Sequence, residues 1–332
     1  MNFIKYNSIE NATNKTIEHF KTKHPNVANG KFYITEKIHG ANFSVYVSKD
    51  EIKFAKRTDF LSDNSSFFSF QRLKDKHNFK IIQDSNILKQ DDVDYLIIYG
   101  ELCGGSYPYM PVIPNVSKVQ KEIAYSNDIE FVVFDIVIVY KSGNKIPIGY
   151  YHIVSFCNKY KLNYTPMLFE GTLDECLEWS SKHKADESEI YKLFNMPKLD
   201  IPNIREGHVI KPMFESFFKE SRLCIFKDKN EKFKERENAT NSEKPIAEYS
   251  IEFNDKLNEL DSMICINRFN NVVSKFGDYT IKNFRDIMTL LYEDIVEEAD
   301  ISKLSEIDQH NLKRMLLNKV GKFLADNKQE LF

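Results

Sequence analysis

The hydrophobic pattern of the chain changes once, after Phe233. Up to that residue, short apolar runs alternate with polar residues in the two-residue period of β-strands. Residues 234–245 are polar, charged and free of large apolar side chains, as is typical of a linker. Beyond them, apolar residues recur at helical spacing. A chain of 332 residues with this break predicts two domains of different class, a strand-rich one followed by a helical one.

Six runs predict the strands of the first domain. Three of them alternate large and polar side chains, namely residues 31–36, 43–47 and 51–55. We interpret these neighbours as an antiparallel meander. Three others are apolar enough for central strands, namely residues 95–99, 131–140 and 207–211. Helical patterns around residues 151–160 and 173–183 lie between the strands.

The tail predicts three amphipathic helices, at residues 251–276, 281–299 and 305–325. The first ends at Gly277, because glycine is a common residue at a helix stop. We expect the apolar stripes of these helices to pack together in the core of a small bundle.

Composition argues against membrane proteins and secreted disulfide-rich proteins. No apolar run approaches the roughly 20 residues that span a bilayer, and the first residues do not lead into a signal-peptide core. The five cysteines are scattered and never form a Cys-x-x-Cys pair, so neither a disulfide framework nor a zinc site is predicted. We therefore expect an intracellular, cytoplasmic protein that does not bind membranes.

The net charge of −3 does not by itself predict a nucleic-acid binder, but a local basic groove is compatible with it. Residues 222–236 carry six basic and three acidic side chains. This stretch is a candidate contact for a phosphate backbone. Arg268 and Lys275 in the tail are further candidates, although exposed helix faces explain them equally well.

Short polar motifs occur near the predicted strand ends, in a fixed order along the chain. They are Lys37-Ile38-His39-Gly40, Lys56-Arg57, Tyr99-Gly100-Glu101-Leu102, Phe134-Asp135, Glu206-Gly207-His208-Val209-Ile210-Lys211 and Phe226-Lys227-Asp228-Lys229. A single strand lysine is ordinarily solvent-facing. The ordered series, however, resembles the motifs of the covalent nucleotidyltransferases, the superfamily of ATP-dependent nucleic-acid ligases and mRNA capping enzymes.

Within that superfamily the chain is most similar to the RNA ligase 2 family, the nick-sealing RNA ligases of T-even phages and their relatives. His39 stands where DNA ligases and capping enzymes usually carry Asp. Residues 267–277 and 282–284 resemble the helical C-terminal domain that this family has in place of an OB fold. The resemblance runs nearly end to end and is compatible with a viral gene.

The resemblance implies an α+β fold. Its first part would be a nucleotidyltransferase domain, ATP-grasp-like, of antiparallel sheets with flanking helices, at residues 1–236. A linker at residues 237–246 and an all-α, RNA-engaging C-terminal domain at residues 247–332 would follow. We expect a monomer.

Lysine chemistry explains why cations recur in these motifs. An amine attacks the α-phosphorus of ATP only when unprotonated, and at a reference pKa of about 10.4 only about one lysine in 2,500 is neutral at pH 7. Nearby positive charges lower a lysine pKa by destabilising the ammonium form. Lys227, Lys229 and a bound Mg²⁺ are the cations that the family pattern supplies around Lys37.

The resemblance implies three steps. Lys37 is adenylylated by ATP, the AMP moves to an RNA 5′-phosphate, and a 3′-hydroxyl attacks that activated phosphate. The substrate would be a nick in duplex RNA or in an RNA/DNA hybrid. Because each displacement spreads negative charge over phosphoryl oxygens, cations should surround the site. Arg57, Lys227 and Lys229 would join Lys37 as catalytic residues, and Lys211 would act at the phosphates.

The other site residues are also carried over by resemblance. Phe134 would stack on adenine opposite Val209, and Glu36 would lie beside the purine edge. Asn42 belongs to the nucleotide-binding set and is similar to the family residue that contacts the RNA phosphate at the nick.

Two carboxylates are expected at the metal. Glu101 would contact the ribose hydroxyls, and Glu206 would lie near Lys37. Both are candidate ligands for Mg²⁺, with Mn²⁺ as the alternative. The chain departs from the family pattern at Thr35, where some relatives carry arginine, and at His208, where an aromatic residue such as tyrosine is common.

Two alternative functions remain open from the sequence. One is another covalent nucleotidyltransferase, a DNA ligase or a capping guanylyltransferase, against which His39 and the missing OB-fold pattern argue. The other is an RNA-binding protein that has lost catalysis. The presence of Lys37, Glu101, Glu206, Lys227 and Lys229 argues against it, because binding alone needs no nucleophile.

Overall fold

The structure is a computed structural model. It describes residues 1–213, 225–233, 251–299, 301 and 304–331. The chain divides into two compact units, Met1–Lys232 and Phe233–Phe332. In the ranges given, no helix is both long enough and apolar enough to cross a membrane.

Some of the sequence predictions fall outside the described ranges. These are the linker at residues 237–246, the domain limits at residues 236 and 247, and Arg222, Lys234 and Arg236 of the basic stretch.

The first unit is built mainly of strands. The strands described are β1 (Glu10–Asn11), β2 (Lys31–Glu36), β3 (Ala41–Val47), β4 (Ile52–Lys56), β5 (Phe60–Leu61), β6 (Val93–Gly104), β7 (Ile129–Tyr140), β8 (Lys145–Pro147), β9 (Asn163–Tyr164), β10 (Met167–Thr172), β11 (Gly207–Pro212) and β12 (Phe226–Lys229). The helices are α1 (Asn14–Lys23), α2 (Pro25–Ala28), α3 (Arg72–Lys76), α4 (Lys80–Gln83), α5 (Tyr150–Tyr160) and α6 (Leu173–His183), and short 3₁₀ helices cover Ile190–Phe194 and Glu231–Phe233.

These strands form two sheets. One has the order β1-β12-β11-β2-β10, and the other has β5-β4-β3-β6-β7-β8 with β9 paired to β7. All pairs are antiparallel except β1 with β12 and β7 with β9. With the helices beside them, this confirms the predicted α+β class of antiparallel sheets.

The predicted meander of three strands is wrong at its first step. β3 pairs with β4 and β6, whereas β2 pairs with β10 and β11 in the other sheet. The break falls at Gly40, where a Cβ atom would lie 2.2 Å from the carbonyl oxygen of Leu102. Only glycine allows this close approach, and it lets the chain leave one sheet and enter the other. Residues 37–40 therefore join the two sheets.

Aromatic packing fills the core of the larger sheet. The ring of Phe43 lies 5.5–6.4 Å from the rings of Phe54, Phe67, Phe70 and Phe131. Phe43 is fully buried, and burying such a side chain stabilises a fold by about 1.5–3 kcal/mol. The strands that carry the site are therefore held by a closely packed core.

The N-terminal segment covers the other face of this sheet. The hydroxyl groups of Tyr46 and Tyr99 both donate to the carbonyl oxygen of Ile4, at 2.9 Å each. Phe3 and Tyr6 pack in the same cluster as Phe134. The first residues of the chain are thereby fixed beside a strand that carries a predicted site residue.

The second unit is helical in its described part. Its helices are α7 (Ile251–Asp261), α8 (Ile266–Phe276), α9 (Phe284–Glu298), α10 (Glu306–Asp326) and α11 (Lys328–Leu331), with a 3₁₀ turn at Ile281–Asn283. The predicted single helix over residues 251–276 is wrong, because it is two helices. The chain turns between them with Cys265 extended, so that Met263 and Ile264 enter the same core as both helices. The other two predicted helices are confirmed.

A buried arginine links two helices of this unit. Arg268 is 1% exposed, and its guanidinium contacts Asp294 Oδ2 at 2.8 Å and Glu298 Oε2 at 2.7 Å. Lys275 also pairs with Asp294. The guanidinium suggested as an RNA contact is therefore buried within the helical unit.

Candidate active site

Lys37 lies in the segment that joins the two sheets. Its backbone N–H donates to the carbonyl oxygen of Gly207 at 2.9 Å, which continues the pairing of β2 with β11. Its side chain is 21% exposed, and Nζ lies 2.7 Å from Oε2 of Glu206. The amine is therefore held in a fixed position and still reaches solvent.

Glu206 is the acidic centre of the site. Its side chain is 1% exposed, and Oε1 lies 3.1 Å from Lys229 Nζ while Oε2 lies 3.4 Å from His39 Nδ1. Burial by itself raises a carboxyl pKa, but the charges of Lys37 and Lys229 and the hydrogen bond from His39 outweigh it. The pKa of Glu206 is therefore well below its usual range, and the side chain is a carboxylate.

His39 connects Glu206 with a second carboxylate. Its Nε2 lies 2.9 Å from Oε2 of Glu122, and its backbone N–H donates to the Tyr125 hydroxyl at 2.9 Å. Burial lowers the pKa of His39, whereas the two acidic partners raise it, and the net direction is upward. His39 thus orients the carboxylate that holds Lys37.

Glu101 lies across from this group on β6. It pairs in register with Asn42 on β3, and a Cβ atom at Gly40 would lie 2.8 Å from its Cγ. Its side chain is partly exposed. Burial raises its pKa to about 7, partly offset by the charges of Lys37 and Arg57. Glu101 therefore interacts electrostatically with Lys37 and Arg57, two of the four predicted catalytic residues.

Arg57 follows β4 directly. Its Nη2 donates to Ser8 Oγ at 3.2 Å, and its side chain is partly exposed. The N-terminal segment therefore helps to fix this guanidinium near the site.

The two late lysines lie on β12. Both point to the same side of the strand because side chains alternate along it. Lys229 is 8% exposed and faces Glu206, whereas Lys227 is partly exposed and pairs in register with Val209. Val209 in turn pairs with Thr35 on β2.

Phe134 and Lys211 form a second group. Lys211 is 2% exposed, and its Nζ donates to the Phe134 carbonyl oxygen at 2.9 Å and to Asp135 Oδ2 at 3.1 Å. Nζ also lies 5.5 Å from the centre of the Phe134 ring. Tyr6 donates to Asp135 Oδ2 at 2.9 Å, and its ring packs edge-on against Phe134 at 5.0 Å. These contacts hold Lys211 at the aromatic ring and not at the Lys37–Glu206 pair.

Glu36 lies apart from both groups. It is 2% exposed, and one of its oxygens, Oε1, has no hydrogen-bond partner among the residues that the structure describes. Burial raises its pKa to about 7, and a hydrogen bond from Ser188 and the charge of Arg205 only partly oppose this. Its carboxylate therefore interacts with residues near the start of β11.

The structure thus sorts the predicted residues into sets. Lys229 contacts the Lys37–Glu206 pair directly, Glu101 interacts with it electrostatically, and Arg57 interacts electrostatically with Glu101. Asn42, Val209 and Lys227 are strand neighbours of these residues. Phe134 and Lys211 form their own group, and Glu36 stands apart.

Sequence reasoning missed two contributors to the site. Glu122 approaches His39 from 83 positions away, and Tyr6 approaches Asp135 from 129 positions away. No local pattern marks such pairs. The apolar and aromatic side chains among the first six residues are the one signal that could have drawn attention to Tyr6.

The expected metal ligands are suited to a metal that keeps part of its water shell. In the described part of the chain, no group of three or more His, Cys, Asp and Glu side chains is arranged to hold a metal ion. Mg²⁺ ordinarily takes one or two carboxylates and completes its shell with water and substrate phosphates. Glu101 and Glu206, the two carboxylates coupled to Lys37, fit that donor set.

Two family models match the chain. A family model described as RNA ligase matches residues 30–229, and one described as the C-terminal domain of T4 RNA ligase 2 matches residues 247–322. The first match spans every predicted site residue.

Curated relatives include two mitochondrial proteins of Trypanosoma brucei brucei. RNA-editing ligase 1 is 32% identical over 170 residues, which cover 43% of this chain and 36% of the relative. RNA-editing ligase 2 is 28% identical over 157 residues, which cover 40% of this chain and 36% of the relative. The matched region therefore spans about a third of the length of these relatives.

Similar solved structures include RNA ligases of Naegleria gruberi. The complex with PPi has a TM-score of 0.47 at 16% identity and covers 70% of this chain and 58% of that one. The apo form of a point mutant has a TM-score of 0.46 at 17% identity and covers 70% of this chain and 57% of that one. From the two family matches, the chain belongs to the RNA ligase family, in its RNA ligase 2 branch.

Proposed function

We propose that this protein is an ATP-dependent RNA ligase that seals nicks through a lysyl-AMP intermediate on Lys37. The nicks carry a 3′-hydroxyl and a 5′-phosphate in duplex RNA or RNA-containing hybrids. The observation that carries the proposal is the amine of Lys37, 2.7 Å from the buried carboxylate of Glu206 and beside Lys229 and His39. A lysine that served only RNA binding would not need a buried carboxylate to orient it.

The charges around Lys37 suit an attack on a phosphate. Lys229 and Arg57 would neutralise the charge that develops on the α-phosphate of ATP. In the structure Glu206 holds the amine as an ion pair, so the amine must leave that contact before it attacks. A Mg²⁺ bound by Glu101 and Glu206 would supply the positive charge that favours the neutral amine.

The Phe134 group suits a nucleobase. Phe134 is partly exposed, and its ring is held by a T-shaped contact with Tyr6, so a fixed aromatic ring is available for stacking on a base. Lys211 Nζ lies beside this ring and would donate a hydrogen bond to the base edge. We therefore assign Lys211 to the base and not to the phosphates as the sequence suggested.

The helical unit supports RNA as the substrate. Residues 247–322 match the C-terminal domain of T4 RNA ligase 2. Duplex RNA is recognised largely through its A-form shape and its 2′-hydroxyl groups, so we expect few base contacts and a tolerance for sequence.

Covalent labelling tests the chemistry. The protein is incubated with Mg²⁺ and either α-labelled ATP or α-labelled GTP and then separated under denaturing conditions. The proposal predicts labelling by ATP only, lost in Lys37→Ala and in Lys37→Arg, which keeps the charge opposite Glu206. Lys49→Ala, at an exposed turn residue, is the matched control and should label normally. Labelling that survives in both Lys37 variants would contradict the proposal.

Sealing on a panel of nicked duplexes tests the substrate. RNA and DNA strands are exchanged on either side of the break. The proposal predicts sealing where the strand with the 3′-hydroxyl is RNA, because the family resemblance points to RNA ends. Sealing of an all-DNA nick at an equal rate would make the protein a general polynucleotide ligase.

A further inference from the structure

We propose that Arg205, His208 and Ser180 form a chain of hydrogen bonds that fixes Asp228, and that this chain positions Lys227 and Lys229. The inference deepens the proposed function and rests on it, because it concerns two lysines of the predicted catalytic set. His208 and Ser180 are in this view positioning residues that act through β12.

The hydrogen-bond chain runs without a break from the guanidinium of Arg205 to the carboxylate of Asp228. Arg205 Nη1 lies 3.1 Å from His208 Nε2, and His208 Nδ1 lies 2.9 Å from Ser180 Oγ. Ser180 Oγ donates to Asp228 Oδ2 at 2.8 Å. Arg205, His208 and Ser180 are all at most 5% exposed, so water does not compete strongly for these bonds.

Only one arrangement of protons satisfies all three contacts. A guanidinium has no acceptor, so His208 Nε2 must accept from Arg205 and the remaining ring proton sits on Nδ1. That N–H donates to Ser180 Oγ, and the Ser180 hydroxyl in turn donates a hydrogen bond to Asp228 Oδ2. The ring therefore stays neutral and its tautomer is fixed.

Both carboxylate oxygens of Asp228 are contacted by residues on α6 or directly after it. Ser180, on α6, contacts Oδ2, and Lys184, which follows that helix, contacts Oδ1 at 2.9 Å. Asp228 stands between Lys227 and Lys229 on β12, so its side chain points away from theirs. Fixing Asp228 on one face of the strand therefore fixes where the two lysines project on the other.

The backbone at this point is equally constrained. β11 starts at Gly207, where a Cβ atom would lie 2.2 Å from the carbonyl oxygen of Asp228 and 2.7 Å from Lys229 Cα. Gly207 pairs with Lys229, and the preceding residue is Glu206, which contacts the Lys229 amine. A small shift of β12 would thus change the Lys229–Glu206 contact at once. His208, which departs from the family pattern, is part of the hydrogen-bond chain that opposes this shift of β12.

Two variants that break the chain test the inference. Ser180→Ala removes the hydroxyl with little change of volume, and His208→Phe keeps a ring without nitrogen atoms. Lysyl-AMP formation is measured against ATP concentration, below the unfolding temperature of each variant. Misplacing a catalytic group by about 1 Å costs as much as 100-fold, so we expect each variant to lose roughly 10-fold or more in maximal rate. The half-saturating ATP concentration should change by less than about 3-fold.

Further variants separate positioning from general loss of packing. The double variant of Ser180→Ala with His208→Phe should be no slower than the slower single variant, because both break one chain. Ser180→Thr, which keeps the hydroxyl, should restore most of the rate. Cys176→Ala, at another fully buried residue of α6, is the packing control and should keep the wild-type maximal rate.

Two results would overturn the inference. One is a folded Ser180→Ala protein within about 2-fold of the wild-type maximal rate. The other is an equal loss in Cys176→Ala, which would make the effect one of packing. If His208→Phe does not fold, Ser180→Ala alone decides. Wild-type protein that forms no lysyl-AMP would overturn the proposed function, and this inference with it.

Discussion

Lys37 and Glu206 meet where the two sheets of the first unit are joined, with Nζ of the lysine 2.7 Å from Oε2 of the glutamate. Lys37 follows β2 and Glu206 precedes β11, and these strands are paired in the smaller sheet. Gly40 then sends the chain to β3 in the larger sheet. The amine therefore lies close to Glu101 on β6 as well as to Lys229 on β12.

Removing the charge of Glu206 should destabilise the protein. Glu206→Gln removes the carboxylate that contacts the largely buried Lys229, and breaking a buried ion pair from one side costs about 3–5 kcal/mol. Because Lys37 is partly exposed, we expect a loss of about 3 kcal/mol in the free energy of unfolding, measured by urea titration. Glu170→Gln, which removes an exposed pair with Lys31, should leave the urea midpoint unchanged. Equal effects of the two changes on the urea midpoint would mean that burial does not increase the contribution of an ion pair to stability.

Glu36 should make stability depend on pH in an unusual direction. Its pKa is about 7 in the folded protein against an ordinary value near 4.5, so the folded state binds the proton more tightly. The contribution of Glu36 to the free energy of unfolding is therefore largest below about pH 4.5, and it is lost as the pH rises through 7. Glu36→Gln removes this penalty and should stabilise the protein by about 1–2 kcal/mol at pH 8, with no gain at pH 4.

Urea titrations of wild type and variant at both pH values measure the difference. Glu18→Gln, at an exposed position of α1, should show no pH-dependent difference. A Glu36→Gln protein that is less stable than wild type at pH 8 would contradict the sign.

Phe134 should control the binding of ATP. Stacking of one base on an aromatic ring contributes about 1–3 kcal/mol, so Phe134→Ala should raise the half-saturating ATP concentration for lysyl-AMP formation roughly 5- to 100-fold. Phe134→Tyr keeps the ring and should stay within about 3-fold of wild type. An unchanged ATP dependence in Phe134→Ala would make this residue part of the core only.

Truncation after Lys244 should separate the two halves of the reaction. All residues that we propose for the adenylylation of Lys37 lie in the first unit, so the truncated chain should still label with ATP. Sealing of a nick that already carries a 5′-adenylate should fall much more, because the helical unit is expected to engage the RNA. Equal loss of both activities would make this unit merely structural.

Local patterns were sufficient for the fold class and for most of the elements. The two-residue and helical periods placed β2, α5 and α6 within one residue of their observed limits. They failed where a glycine redirects the chain, at Gly40 between the sheets, and where a turn is hidden in an apolar run, at Met263 and Ile264. In both places the backbone conformation depends on a contact distant in sequence. At Gly40 the contact is with Leu102, and at Met263 and Ile264 it is with the core of the helical unit.

The site was predictable as a set of residues but not as an arrangement. Motif order pointed to Lys37, Glu101, Glu206 and Lys229, which the fold brings close together. Motif order could not show that Lys211 lies outside this cluster. The position of its amine is decided by the pairing of β2 with β11 and by the position of Phe134.

Mapping the adenylylated residue tests the central claim most directly. The purified protein is incubated with ATP and Mg²⁺, digested under conditions that keep P–N bonds intact, and analysed by mass spectrometry. The account predicts one AMP adduct, on the peptide that contains Lys37, and its release as AMP when a nicked RNA duplex is added. An adduct on any other lysine, or a Lys37 peptide that stays unmodified while nicks are sealed, would contradict it.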